Sequence, residues 1–250
     1  MRKIIIGLMS LVLVMSADEV YANFRVDAAK SANLAFDARG VIKNVFVDVS
    51  SVVKKGDKLA ELYSDDIKAS LEIAKVAVQS AEVVLKFAQK DYDRQVIIKH
   101  LIDEAQFDKY AQNYESAKVA LISAKANLAY RQALYDKTIL CAPFDGVIFE
   151  KIVEVGDVVN GMVLRTIFKI QSQSDRKLIL ELDQKYWKSV TVGQTFKYTM
   201  DGDKQVYEGK LTNVYPHAND LNRKLNAEVK AKDFIVGLVG NGTINTAAKE

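Results

Sequence analysis

The stretch Gly40-Val41-Ile42-Lys43-Asn44-Val45-Phe46-Val47-Asp48-Val49-Ser50-Ser51-Val52-Val53 can be written above Gly146-Val147-Ile148-Phe149-Glu150-Lys151-Ile152-Val153-Glu154-Val155-Gly156-Asp157-Val158-Val159 without a gap. Seven of the fourteen aligned positions are identical: Gly40/Gly146, Val41/Val147, Ile42/Ile148, Val47/Val153, Val49/Val155, Val52/Val158 and Val53/Val159, with Asp48 opposite Glu154. β-Branched residues at alternating positions mark strands. Each copy runs on to a turn glycine, Gly56 or Gly161, where a positive φ carries no Cβ penalty. Two related β halves are expected to pair into one small sandwich. At least one of the sets Val47/Val153 and Val49/Val155 should face its core.

Between the halves, residues 66–137 contain no Gly and no Pro and are rich in the helix formers Ala, Lys, Gln, Glu and Leu. Ile67, Leu71, Ala74, Val78, Ala81, Leu85, Ala88 and Tyr92 follow spacings of four and three, as the buried seam of a coiled coil requires. Phe107, Tyr110, Tyr114, Ala117, Leu121, Ala124, Leu128, Arg131 and Tyr135 keep the same rhythm. The break falls where Lys99-His100-Leu101-Ile102 precedes Asp103 and Gln106, an acidic variant of the capping box. Asp65 and Asp66 suit the positive start of the first helix, and Lys99 and His100 its negative end. Two arms of about 35 residues at ~1.5 Å each make a hairpin of roughly 50 Å, whose ends re-enter the two β halves. At its tip Val96, Ile97, Ile98, Leu101 and Ile102 lie beside Arg94, Lys99, His100 and Asp103, more apolar surface than an exposed turn needs. These nine residues form the candidate partner-binding site.

The beginning of the chain reads as an address. Met1, Arg2 and Lys3 are followed by an almost wholly apolar run over residues 4–15, too short to span a bilayer comfortably. A signal peptide over residues 1–22 is expected, cut after Ala22 in Val20-Tyr21-Ala22, with Met15-Ser16-Ala17 as the other candidate site. The 35 Lys plus Arg against 32 Asp plus Glu leave a formal charge of +3, too little for a nucleic-acid footprint. Cys141 is the sole cysteine and His100 and His217 the only histidines, so no clustered His/Cys metal set exists, and neither a disulfide nor a lipid-bearing cysteine is available. No nucleophile–base pair or phosphate-cradling glycine loop stands out. No catalysis and no cofactor are expected.

Two such β halves around a helical hairpin, behind a signal peptide, resemble the periplasmic adaptors, or membrane fusion proteins, of the HlyD/RND efflux family. The specific stretches are Gly40-Val41-Ile42 with Val53-Lys54-Lys55-Gly56-Asp57-Lys58-Leu59, and Thr138-Ile139 with Ala142-Pro143-Phe144-Asp145-Gly146-Val147-Ile148 and Val155-Gly156-Asp157-Val158-Val159. The resemblance implies an α+β multidomain chain: a lipoyl-like β-sandwich interrupted by a long antiparallel coiled-coil hairpin, plus a small β-barrel. The expected boundaries are 23–37 for the first barrel strand, 38–63 and 138–170 for the lipoyl halves, 64–137 for the hairpin, 171–245 for the barrel and 246–250 for a tail. The family's membrane-proximal domain is expected to be absent or rudimentary. Many drug-efflux adaptors carry an Arg, a Leu and a Ser in fixed register at the tip; here Tyr92, Val96 and Asp103 fall at those positions, so the docking motif is only partly matched.

The implied partners are an inner-membrane transporter, RND-type before ABC-type, a TolC-like outer-membrane channel, and further copies of the chain, six by resemblance, forming a sleeve in a Gram-negative periplasm. A biotinyl or lipoyl carrier would present one modified lysine at an exposed turn. That turn is where the hairpin has been inserted.

Overall fold

The computed structural model describes residues 18–160, 165–219 and 222–246. In chain order the elements are β1 (Asp18–Ala28), β2 (Ser31–Leu34), β3 (Gly40–Val45), β4 (Val52–Val53), β5 (Lys58–Leu62), α1 (Asp65–Ile97), α2 (Glu104–Asp136), β6 (Ile139–Cys141), β7 (Gly146–Lys151), β8 (Val158–Val159), β9 (Phe168–Gln171), β10 (Asp175–Asp183), β11 (Thr195–Met200), β12 (Tyr207–Ala218), β13 (Lys224–Lys232) and β14 (Val239–Thr246). They fall into two compact units, one spanning Ala32–Ile170 and the other combining the residues up to Ser31 with those from Gln171 onward. The fold comprises a six-stranded barrel, two four-stranded sheets and two long helices. No helix among the described residues is long and apolar enough to cross a membrane.

The Ala32–Ile170 unit turns the sequence repeat into interlocked halves. Its sheets have the orders β2-β9-β7-β4 and β6-β5-β3-β8, so each half lends a strand to the other's sheet. Gly40 pairs with Val159 and, at the equivalent positions, Val53 pairs with Gly146. The Ile42 amide donates to the Asp157 carbonyl (2.9 Å) as the Ile148 amide donates to that of Ser51 (3.0 Å). Turns match too: Ser51 N–H to Asp48 C=O and Asp157 N–H to Glu154 C=O close the same four-residue reversal, with Ser50 and Gly156 both at positive φ. Ile42 and Ile148 are fully buried, Val53 and Val159 nearly so. Val153 is buried and Val47 packs against the same core, whereas Val49 and Val155 are exposed.

α1 and α2 have 33 residues each, about 50 Å at the usual rise. Residues at the three- and four-spaced positions are the least exposed on each, with Leu71, Ala74, Val78 and Ala117 buried. The helices run antiparallel. Tyr92 stacks on Tyr114 (5.2 Å between centroids) and meets Phe107 (5.7 Å) near the connecting turn. Lys125 reaches Glu82 (3.7 Å) midway, and Ile67 and Ser70 share a small pocket with Arg131 and Leu134 at the other end.

The other unit is a closed barrel of order β1-β10-β13-β12-β11-β14. β1 closes it by pairing with β10 on one side (Phe24 opposite Leu180) and β14 on the other (Phe24 opposite Gly240). Alternate residues point inward, among them Leu178, Leu180, Leu182, Leu225, Ala227 and Val229. Phe24, Phe196 and Tyr198 cluster at 5.3–5.8 Å. A Cβ on Gly242 would lie 2.2 Å from the Lys197 carbonyl oxygen and 2.8 Å from the Phe196 ring, so only glycine lets β14 approach β11 here. Buried Arg176 gives its guanidinium to the carbonyls of Ser172, Gln173, Asp175 and Phe234 (2.6–3.1 Å), which ties two loops across one end.

Two boundaries differ from the sequence expectation. The first barrel strand, expected over 23–37, runs Asp18–Ala28, while Ser31–Leu34 belongs to a different sheet. Val20 and Ala22, assigned above to a leader ending at 22, are each 1% exposed inside the barrel. The cause is a period-two pattern, Val20, Ala22, Phe24, Val26, Ala28, all facing the core. Residues 1–17 of the expected leader, the second turn glycine Gly161, and residues 247–250 of the tail lie outside the described residues.

Candidate functional site

The nine candidate residues come together in the connection between the two helices. α1 ends at Ile97, Lys99–Leu101 forms one 3-10 turn, Ile102 is extended and Asp103 is the N-cap of α2. The Leu101 amide donates to the Ile98 carbonyl (2.8 Å), and the amides of Gln106 and Phe107 donate to the Asp103 carbonyl (both 3.1 Å). The capping box is only half realised: Asp103 occupies the cap position, but its exposed carboxylate makes no cap hydrogen bond. Ile97 and Leu101 are each 74% exposed, and Val96 and Ile98 are exposed as well. Ile102 is half-buried. Arg94 pairs with Asp91 one turn back, and the Lys99 ammonium sits 4.5 Å from the Phe107 ring centroid. His100 is exposed. Tyr92, at the arginine position of the family register, faces α2 through its stack on Tyr114 instead of presenting a docking group.

Burial is the chemistry open to such a turn. Covering Ile97 and Leu101 would be worth about 1.5–3 kcal/mol each. It holds no acid–base pair, and no group of three or more His, Cys, Asp or Glu among the described residues could hold a metal.

A second apolar surface escaped the sequence reading. On α1, Ile73, Val76, Val83, Val84 and Phe87 are exposed; on α2, Val119, Ile122 and Tyr130 are. The Glu82–Lys125 and Tyr92–Tyr114 contacts set the antiparallel level, so Val84 and Phe87 lie along the same stretch as Ile122 and Val119. The signal was present as a second three- and four-residue spacing outside the seam. The barrel unit has a cavity of about 700 Å³ beside Tyr198, Tyr207 and Phe234. Of the charged groups at its lip, Lys177 and Glu228 pair with each other (3.2 Å).

No protein-family model matches the sequence, and neither does any curated protein. Solved structures do. A MacA–MexA chimera containing the Pseudomonas aeruginosa MexA α-hairpin domain aligns over 93% of this chain and 80% of its own, with 22% identity and a TM-score of 0.70. The membrane fusion protein Spr0693 of Streptococcus pneumoniae R6 aligns over 92% of this chain and 100% of its own, with 18% identity and a TM-score of 0.72. MacA of Actinobacillus actinomycetemcomitans aligns over 91% and 79%, with 19% identity and a TM-score of 0.68. The chain therefore has the fold of the membrane fusion proteins.

Proposed function

We propose that the chain is a periplasmic adaptor of a tripartite efflux system in a Gram-negative envelope, a sleeve of identical subunits, six by analogy, between an RND-type inner-membrane transporter and a TolC-like outer-membrane channel. The two sheets are its lipoyl-like sandwich, α1 and α2 its coiled-coil hairpin, and the barrel its transporter-side domain. No catalytic role and no cofactor are assigned. The observation that carries this is the aliphatic turn at Ile97 and Leu101, left uncovered about 50 Å of helix away from the sheets. A turn that merely joins two helices has no need of two large aliphatic groups in water. The exposed stripes on α1 and α2 supply the lateral contacts between copies, since a ring sets one subunit's α1 face beside the next subunit's α2 face. The leader ends at Ala17, so that the exported chain keeps all of β1.

Complementation of a strain lacking its own adaptor tests this. Ile97→Ser with Leu101→Ser, and separately Arg94→Glu with Asp103→Lys, should each abolish export and crosslinking to the channel while helicity and expression stay unchanged, since exposed groups contribute little to stability. Full export by both double variants would remove the tip from the mechanism. Co-purification with an ABC-type instead of an RND-type transporter would reassign the pump.

A further inference from the structure

Trp187, the only tryptophan of the chain, is 64% exposed at the end of the barrel where β1 begins. The register places it there: Asn23 lies opposite Glu181, so continuing the antiparallel ladder brings the start of β1 level with the turn that follows β10. That turn is a 3-10 segment, Gln184–Tyr186, capped by Asp183, whose side chain accepts from the Lys185 amide (2.9 Å). Its inner side is fixed. Tyr186 packs on the barrel core, Val190 is buried, and the amides of Ser189 and Val190 both donate to the Tyr186 carbonyl (2.9 and 3.0 Å). Gln194 pins the remainder, accepting from the Thr191 amide (3.0 Å) and donating to the Ser189 carbonyl (2.8 Å). With Tyr186 turned inward, the next residue is driven outward, so a built and hydrogen-bonded turn holds a large amphipathic ring in solvent.

Its immediate neighbours are basic. Lys185 and Lys188 flank the ring, the Lys188 ammonium lying 5.0 Å from the indole centroid and that of Lys185 4.8 Å from the Tyr186 ring. Arg223 lies on the adjoining loop, its carbonyl accepting from the Gln184 amide (3.2 Å). None of the three cations is in an ion pair among the described residues, whereas Lys224 is taken by Glu181 (2.7 Å). Acids share this end: Asp183 is engaged as the cap, Glu181 is paired with Lys224, and Asp18 and the exposed Glu19 open β1. Val192, also exposed, adds apolar surface on the same turn.

We infer that this end of the barrel is a lipid-contacting face: Trp187 and Val192 enter the headgroup region of a bilayer, and Lys185, Lys188 and Arg223 engage anionic lipid phosphates. Tryptophan favours that interface because one side of its ring is apolar and its N–H stays hydrated. Lysines beside it snorkel toward the phosphates. The attraction is worth about 1 kcal/mol per cation at an anionic surface and fades within a Debye length. This face rests on the adaptor proposal only for which membrane it meets.

Trp187 is its own probe. The chain as isolated from cells is mixed with phosphatidylethanolamine vesicles with or without phosphatidylglycerol. The anionic vesicles alone should shift Trp187 emission to the blue, and lipids brominated near the headgroup should quench it. Lys185→Glu with Lys188→Glu should lower co-sedimentation at least about 25-fold, two charges at ~1 kcal/mol each. Trp187→Ala should weaken it severalfold, with the thermal melt unchanged for both. Unshifted emission on anionic vesicles, or sedimentation indifferent to the lysine reversal, overturns the inference. So does quenching that appears only when vesicles contain a transporter, which would make the turn a protein contact. A chain that binds vesicles but supports no export sinks the adaptor proposal and leaves this face standing; an export-competent chain that ignores vesicles does the reverse.

Discussion

The two β units bury comparable cores by different routes. In the Ala32–Ile170 unit one sequence pattern is used twice, and the hydrogen bonds from Ile42 to Asp157 and from Ile148 to Ser51 are the same bond in two copies. The barrel repeats nothing. It is closed by β1 from one end of the chain lying between β10 and β14, and by glycines that let β14 approach β11. Duplication makes a fold readable, because each copy vouches for the other. Closure by strands far apart in sequence leaves only weak alternation in each.

The largest effect should come from the repeat. Val153 is 4% exposed in the shared core and Val155, two residues on, is 61% exposed. Val153→Asp places an unpaired carboxylate among Ile42, Ile148 and their neighbours and should cost about 3–5 kcal/mol. Val155→Asp should stay within about 0.5 kcal/mol. Helical circular dichroism follows the unit that contains α1 and α2, and Trp187 fluorescence follows the barrel. Val153→Asp should therefore lower the helical melt and spare the Trp187 transition. Equal melts for the two variants would mean that the repeat halves do not share a core.

Next comes the start of the barrel. A chain beginning at Asn23 lacks Val20 and Ala22 from the core and the five β1 residues that pair with β14 between Gly242 and Thr246. Burial of Val20 alone is worth about 1.5–3 kcal/mol. Such a chain should lose its Trp187 transition at a temperature where the helical signal persists, the mirror image of Val153→Asp. The exported protein should carry Asp18 at its N-terminus by Edman sequencing. Asn23 there, with an unaltered Trp187 melt, would make the first turn of the barrel dispensable.

What the sequence disclosed follows the same division. The seam of α1 and α2 is legible because Leu71, Ala74, Val78 and Ala117 repeat at spacings that only a helix pair satisfies. Asp103 is legible as a cap position, but whether its side chain bonds depends on a rotamer that no pattern encodes. Val20 and Ala22 were ambiguous because small residues two apart suit a peptidase pocket and a strand's inner face alike. Adjacent Tyr186 and Trp187 look equivalent in sequence; only packing against the barrel core decides which of them turns outward. The exposed stripe from Ile73 to Phe87 is hard to read because the seam already accounts for the helical periodicity.

The smallest effect tests an electrostatic difference. Glu228, on β13 with its side chain 20% exposed, accepts from Tyr215 Oη (2.7 Å) and from the Lys177 ammonium (3.2 Å). Burial by itself pushes the carboxyl up, yet the two hydrogen bonds and the lysine charge outweigh it and hold Glu228 below the usual carboxylate range. The same bond raises the Tyr215 phenol. Because the folded value is lowered, the stabilisation is fully present above the unfolded carboxylate range and disappears as pH falls through the lowered value. Glu228→Gln keeps an acceptor for Tyr215 but removes the attraction to Lys177. It should cost about 1 kcal/mol at pH 7, read from denaturant melts of Trp187 fluorescence, and the gap to wild type should shrink toward zero as the medium is acidified past the lowered value. The helical melt should not move at either pH, because the substitution lies in the barrel; the ion pairs described in the repeat-built sheets, such as Lys151 with Asp48 and Glu154 and Lys169 with Glu150, involve acids more exposed than Glu228. A gap that stays constant with pH would show that Glu228 acts by packing, and would remove this electrostatic distinction between the two units.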